Sequence, residues 1–208
     1  SVFNRHAEDV RSLAKKYPSL TVRVGYEVDY FTYDGWQTEF ENFRHNLDYD
    51  YMLTGNHFFL SENGEYLLDI SCYNSLPDNE KPEPVETYVH RHLQTVKRAV
   101  DSRLFNFLAH IDYVRKVKNY NQSLYDNDYD EIIKSLALNN TATELSTKGL
   151  RKSDDFFPCH NLLLKIINKN IPLVISDDAH RCKEVGYLFD KAENTLSELR
   201  YTNRFNLK

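Results

Sequence analysis

The chain has 208 residues, 26 basic and 31 acidic, for a formal net charge of -5. That length favours one α/β domain with a sizeable core, residues 1–208 together, and the charge balance excludes the broad basic footprint of a general nucleic-acid binder while leaving local basic patches open. No stretch approaches the roughly 18–20 apolar residues of a membrane span, and no charged-then-apolar signal segment opens the chain. Cys72, Cys159 and Cys182 are odd in number and lack C-x-x-C spacing, which disfavours a disulfide framework and a thiolate zinc site. The expectation is a cytoplasmic protein with no membrane or nucleic-acid partner.

In chain order, Val2, Val10, Leu13 and Ala14 set among charges predict a first helix that ends near Tyr17-Pro18. The stretch 20–31, "LTVRVGYEVDYF", alternates and predicts a strand whose end bears Glu27 and Asp29. A helix is expected at 36–47 and a strand at 50–55 that stops at Gly55-Asn56-His57. Polar loop residues 61–71 and the Pro-rich 76–84 lead to a long helix over 84–103, with Pro84 suited to its first turn. A short apolar strand over 104–114 carries His110 and Asp112 near its end, and a polar excursion then reaches a helix at 128–138. Residues 141–153 read as a strand and a basic loop, and 159–170 as a helix. The run "IPLVISDDAH" (171–180) has the continuous apolar character of a buried parallel strand, and a last helix is expected at 183–199. Strand and helix alternating throughout predict parallel βα units in a barrel-like layout, with no internal repeat and no linker.

The chemistry-bearing residues fall where such a layout concentrates function. Glu27, His57, His110, and Asp178 with His180 each follow a predicted strand, at the carboxyl-terminal rim. Imidazole nitrogens and carboxylates together suit zinc, manganese or iron. Singly, each residue also admits a plainer reading: Glu27 as a solvated carboxylate, His57 and His110 as satisfied core histidines. Asp178 and His180, two apart on an extended strand end, project to the same side. His45, His90 and His92 lie in predicted helices among charges and read as solvated faces.

"GYEVDYF" (25–31), "YMLTGNHFF" (51–59), "LAHIDYVRK" (108–116), "ELSTKGLRK" (144–152) and "ISDDAH" (175–180), in this order, resemble the PHP (polymerase and histidinol phosphatase) superfamily, and within it the histidinol-phosphatase branch. The resemblance implies a distorted (β/α)7 TIM-like barrel with a di- or trinuclear divalent metal site of zinc, manganese or iron at the strand ends. Carried over by motif, Glu27 would bridge two metals, His57 and His110 would complete one, Asp178 would serve the other, and His180 the third; Glu27 and Asp178 would be catalytic. The family's opening H-x-H strand has no counterpart upstream of Glu27, where His6 is the lone histidine. A barrel without its first strand would expose long unpaired edges, so the chain is expected to be the remainder of a longer protein. Ser146 stands where the family usually has asparagine, and Asp177 where it has serine.

A phosphate monoester dianion repels nucleophiles, so its hydrolysis calls for positive charge around the phosphoryl oxygens. The expectation is in-line attack by a metal-bridging hydroxide, with Arg151 and Arg181 as substrate-binding forks on the phosphate. By resemblance the substrate is L-histidinol phosphate and the setting histidine biosynthesis. The alternatives are a PHP phosphoesterase on another small phosphate ester, a polymerase-associated exonuclease, which the acidic balance disfavours, and an inactive PHP-like binding domain.

Overall fold

The computed structural model describes residues 1–60, 67–151 and 153–207. Its strands are β1 (Gly25–Val28), β2 (Tyr51–Thr54), β3 (Phe58–Leu60), β4 (Leu67–Asp69), β5 (Phe107–Leu108), β6 (Ala142–Ser146) and β7 (Leu173–Ser176). Five of them form one sheet in the order β1-β2-β5-β6-β7, and every neighbouring pair is parallel. Spatial order follows chain order, so each crossover moves in the same direction, as in a barrel wall and unlike a doubly wound sheet. The anticipated α/β, TIM-like architecture is present. At the β7 edge the closing residues of the chain run alongside: Leu173 N donates to Asn203 O at 3.1 Å and Phe205 N to Leu173 O at 3.0 Å.

The helices are α1 (Val2–Ala14), α2 (Trp36–Arg44), α3 (Ile70–Tyr73), α4 (Val85–Asp101), α5 (Asp126–Asn139), α6 (His160–Asn168) and α7 (Phe189–Glu198). Apolar residues at helical spacing put Val89, Leu93 and Val96 of α4, Ile132 and Leu136 of α5, Leu162 and Ile166 of α6, and Leu196 of α7 into one core with Leu108, Leu145 and Leu173 of the sheet. A smaller cluster joins Trp36 and Phe40 of α2 to Met52, Ala99, Leu104 and Phe105. In α1 only Ala7 is buried; the helix is tied down by Arg11, which reaches Asp48 at 2.8 Å and Asp50 at 2.9 Å.

Several expectations change. The strand expected over 20–31 contracts to β1, and Leu20 and Val22 lie exposed before it. The strand over 104–114 contracts to the two residues of β5, because the backbone turns at His110 (φ 21°) and coils into a 3₁₀ turn over Tyr113–Lys116. The last helix starts at Phe189, since Gly186 (φ 74°) and Leu188 (φ 52°) take left-handed conformations that no helix accommodates. The stretch read as polar loop contains β4 and α3, with β4 antiparallel to β3; residues 61–66 lie outside the described residues. His92 is not solvated: α4 turns it inward, 1% exposed, beside Leu93 and Val96.

Candidate metal centre and anion cleft

Three of the anticipated residues meet at the carboxyl ends of β1, β2 and β5. One ligand atom from each of Glu27, His57 and His110 lies within 4.8 Å of the others, the one such group among the described residues. Glu27 Oε1 is 3.1 Å from His110 Nε2 and 3.8 Å from His57 Nε2. Donor atoms about 2.1 Å from a tetrahedral zinc stand about 3.4 Å apart, so these spacings bracket what one ion requires. Gly55, at the end of β2, runs directly beneath: a Cβ there would fall 2.0 Å from Glu27 Oε1 and 2.8 Å from His110 Cε1. The backbone is thus cut away to let the side chains converge, and a set of one carboxylate and two imidazoles fits a divalent cation.

Surrounding groups fix these side chains. Asp29 Oδ1 accepts from the backbone N–H groups of His57 and, at 3.0 Å, Phe58, while its Oδ2 is 3.5 Å from His57 Nδ1. Burial alone would lower the His57 pKa, but the Asp29 hydrogen bond and the charge of Glu27 outweigh it and the net shift is upward. Burial likewise pushes against the Asp29 carboxylate, and its bonds to His57 and Phe58 hold its pKa below the ordinary value. His110 N donates 2.7 Å to Oε1 of Glu144, a β6 carboxylate only 3% exposed, whose Oε2 accepts from Ser176 Oγ of β7 at 2.7 Å. Burial raises the Glu144 pKa. Tyr113 closes the site from one side, its ring 4.8 Å from His57 and 4.7 Å from His110, with its hydroxyl pKa pushed up to about 12 by burial.

Asp178 and His180 stand together but outside that trio. Asp178 follows β7 in a left-handed conformation (φ 47°), so the two residues do not continue as an extended strand. His180 Nδ1 is 3.4 Å from Asp178 Oδ1, and its side chain is 72% exposed. The Asp178 carboxylate is engaged by Lys148 Nζ, and its carbonyl accepts from Arg151 Nη1 at 3.3 Å. Arg151 also meets Glu184 Oε2 at 3.3 Å, and its buried Nε has no hydrogen-bond partner. Arg151, His180 and Arg181 line a cleft of about 1010 Å³ together with Arg115, Lys116 and Lys148, against the acidic Asp155 and Glu184 and the rings of Tyr113, Tyr120 and Phe157. Such a surplus of cations in one concavity suits an anionic ligand. The two departures from the family pattern are structural here: Ser146 Oγ accepts from Lys148 N at 3.3 Å, and Asp177 accepts from Ala179 N at 3.1 Å and from Gly186 N, pinning the loop after β7.

Glu144, Asp29 and Lys148 were not anticipated in these roles. Asp29 sits two residues beyond Glu27, and that spacing could have paired them. Glu144 sits in a strand buried at every position, where a carboxylate needs a partner.

No family model matches the chain. A curated protein of Deinococcus radiodurans, "Probable histidinol-phosphatase", is 25% identical over 190 residues, which are 86% of this chain and 65% of that protein. The chain therefore spans just under two thirds of the length of that relative. A crystal structure of histidinol phosphate phosphatase (HISK) from Lactococcus lactis, complexed with zinc, L-histidinol and phosphate, superposes with a TM-score of 0.73 at 14% identity, covering 98% of this chain and 76% of that one. The hisK protein of Listeria monocytogenes gives 0.66 at 18% identity over 88% and 73%. A chain from the cryo-EM structure of archaeal ribonuclease P with mature tRNA gives 0.57 at 16% identity over 93% and 67%. The structural likenesses establish the fold, and the curated relative points to the histidinol-phosphatase branch within it.

Proposed function

On the premise that this chain shares its sequence motifs and its fold with the histidinol phosphatases of the PHP superfamily, we propose that it is the metal-dependent phosphomonoesterase part of such an enzyme, hydrolysing L-histidinol phosphate to L-histidinol and phosphate. The observation that carries this reading is an adjacency. A three-donor group able to hold a divalent cation lies on the same strand-end rim as a cleft lined by five lysine and arginine side chains. A phosphate ester needs both, since its charge must be offset while its phosphorus is attacked.

In this reading Glu27, His57 and His110 hold zinc or a similar ion, Asp178 and His180 extend the site to a second or third, and Arg151 and Arg181 take the phosphate. Bound divalent metal would offset charge on the phosphoryl oxygens and favour a water nucleophile at neutral pH. The protein's own groups do the rest. Arg151, whose Nη1 and Nη2 donate to the carbonyls of Asp178 and Glu184 at 3.3 Å each, brings its charge to the phosphate in this reading, and Arg181 adds a second from the mouth of the cleft. Asp178, which contacts the cleft-lining Lys148 and Arg151, is in this reading the group that takes the proton of the attacking water. Tyr113 and Phe157 line the same cleft, their rings covered by Lys116 at 3.6 Å and Arg115 at 4.1 Å.

The net charge of -5 supports a small phosphate ester over a nucleic acid. Three cysteines outside any disulfide support a cytoplasmic setting, and among the described residues no helix is long and apolar enough to cross a membrane. The test pairs elemental analysis with phosphate release from histidinol phosphate and other small monoesters in the presence of zinc or manganese. Bound metal with preferential turnover of histidinol phosphate, abolished by Glu27→Gln, is expected. Preference for another ester would overturn the substrate, and no turnover with metal bound would leave a binding domain.

A further inference from the structure

Lys148 is a cation of the rim that the metal chemistry proposed above does not use. Lys148 lies in the 3₁₀ turn over Thr147–Arg151, just after β6. That turn is tightly held: Lys148 N donates to Ser146 Oγ at 3.3 Å, and a Cβ on the next residue, Gly149, would fall 2.3 Å from Asp155 O. From this anchored position the ammonium reaches across to Asp178 Oδ2. The two side chains are only 26% and 18% exposed, so water screens their attraction far less than it would a surface pair. The ammonium is also near enough to His57 for its charge to oppose protonation of that ring. Lys148 therefore stands between the three-donor group and Asp178, with a full positive charge on the carboxylate that a second metal would need.

We propose that Lys148 is an internal competitor for metal at Asp178, so that the Asp178 side of the rim binds a divalent cation more weakly than the Glu27 side. The inference rests on the metal reading of the site. A lysine ammonium is a compact point charge that donates hydrogen bonds and accepts none, so it cannot share a metal's shell and must leave the carboxylate when an ion arrives. Its stem is long and flexible, and the cleft it lines gives the released ammonium somewhere to go, beside Arg151 and Arg181, where an anion would receive it. Filling the Asp178 side thus converts a carboxylate-bound cation into one that faces the cleft. Among the described residues no lysine is hydrogen-bonded to Glu27, His57 or His110, and metal uptake there displaces no ammonium.

The test is zinc titration of chelator-treated protein, read by competition with a chromogenic chelator, with the fold checked by circular dichroism. Lys148→Met should tighten the weaker zinc about tenfold and change the tighter one, which its charge reaches only at His57 and without a hydrogen bond, far less. Lys134→Met, which removes the same charge from an exposed position in α5, should change neither. Lys148→Gln carries the comparison if the methionine variant does not fold. Identical isotherms for wild type and the Lys148 variants would overturn the inference while leaving the metal site standing. Zinc uptake by a Lys148 variant where wild type takes none would support it. No uptake by any variant would overturn it together with the metal reading.

Discussion

The two halves of the strand-end rim are built from opposite charges. Around β1, β2 and β5, the donors Glu27, His57 and His110 are backed by further carboxylates, Asp29 and Glu144, that hold the histidines from behind. Around β6 and β7, the Asp178 carboxylate is met by Lys148 and His180, its carbonyl and Glu184 by Arg151, and the cleft beside them has more cationic than acidic side chains. One half is an acceptor for a cation and the other for an anion, and a bond that must be broken between metal and phosphate fits across their junction. The difference also shows how little backbone it takes: three parallel strand ends supply the trio, and one 3₁₀ turn supplies both Lys148 and Arg151.

The largest way to break the cation half is Gly55→Ala. A Cβ 2.0 Å from Glu27 Oε1 and under 3 Å from two atoms of His110 drives both ligands outward, so metal binding should be lost while overpacking costs about 1–3 kcal/mol of stability. Metal content and denaturant midpoint check this, and a fully metallated variant would show that the trio is not the site. Next comes the link between the halves. Glu144 joins His110 of one to Ser176, two residues before Asp178, of the other. Glu144→Ala leaves the buried His110 N–H without its acceptor, at about 1–3 kcal/mol, and should weaken metal binding. Glu144→Gln, whose amide oxygen can still accept from His110 N, should restore most of both; equal loss in the two variants would mean that charge, not position, matters. On the anion half, Arg151→Ala should weaken inorganic phosphate binding roughly tenfold to a hundredfold by calorimetry and leave zinc affinity at the trio unchanged. Loss of zinc there would join what the geometry separates.

The acceptor half was the more legible of the two in sequence. Apolar runs that stop at Glu27, His57 and His110 announce strand ends, and parallel strands in chain order bring neighbouring ends together whatever the details of the turns. The donor half depends on turns: the left-handed φ of Asp178 and the coil over Thr147–Arg151 decide where Lys148 and Arg151 reach, and neither follows from residue spacing. Glu144 was hidden for another reason. An alternating reading of "ATELS" gives it a solvated face, but a parallel strand covered on both sides has none. The hairpin of β3 and β4 was lost because each strand is three residues long, too short for alternation to register.

His92 was legible and was misread. It is spaced four residues after Tyr88 and four before Val96, on the apolar stripe of α4, and burial lowers its pKa to about 3 from the ordinary 6.5. Below pH 6.5 the unfolded chain takes up a proton there that the folded chain refuses, so stability contributed by neutral His92 is lost as pH falls from about 6.5 toward 3. His57 acts in the opposite sense: its raised pKa contributes stability below 6.5 that is lost as pH rises through its folded value. His92→Gln should therefore have the smallest effect of these variants at neutral pH, and a metal-free sample should show a shallower acid limb than wild type in a thermal-melt series from pH 7 to pH 4. An unchanged acid limb would mean that His92 gains a proton without unfolding, and that the core behind the cation half is open to water.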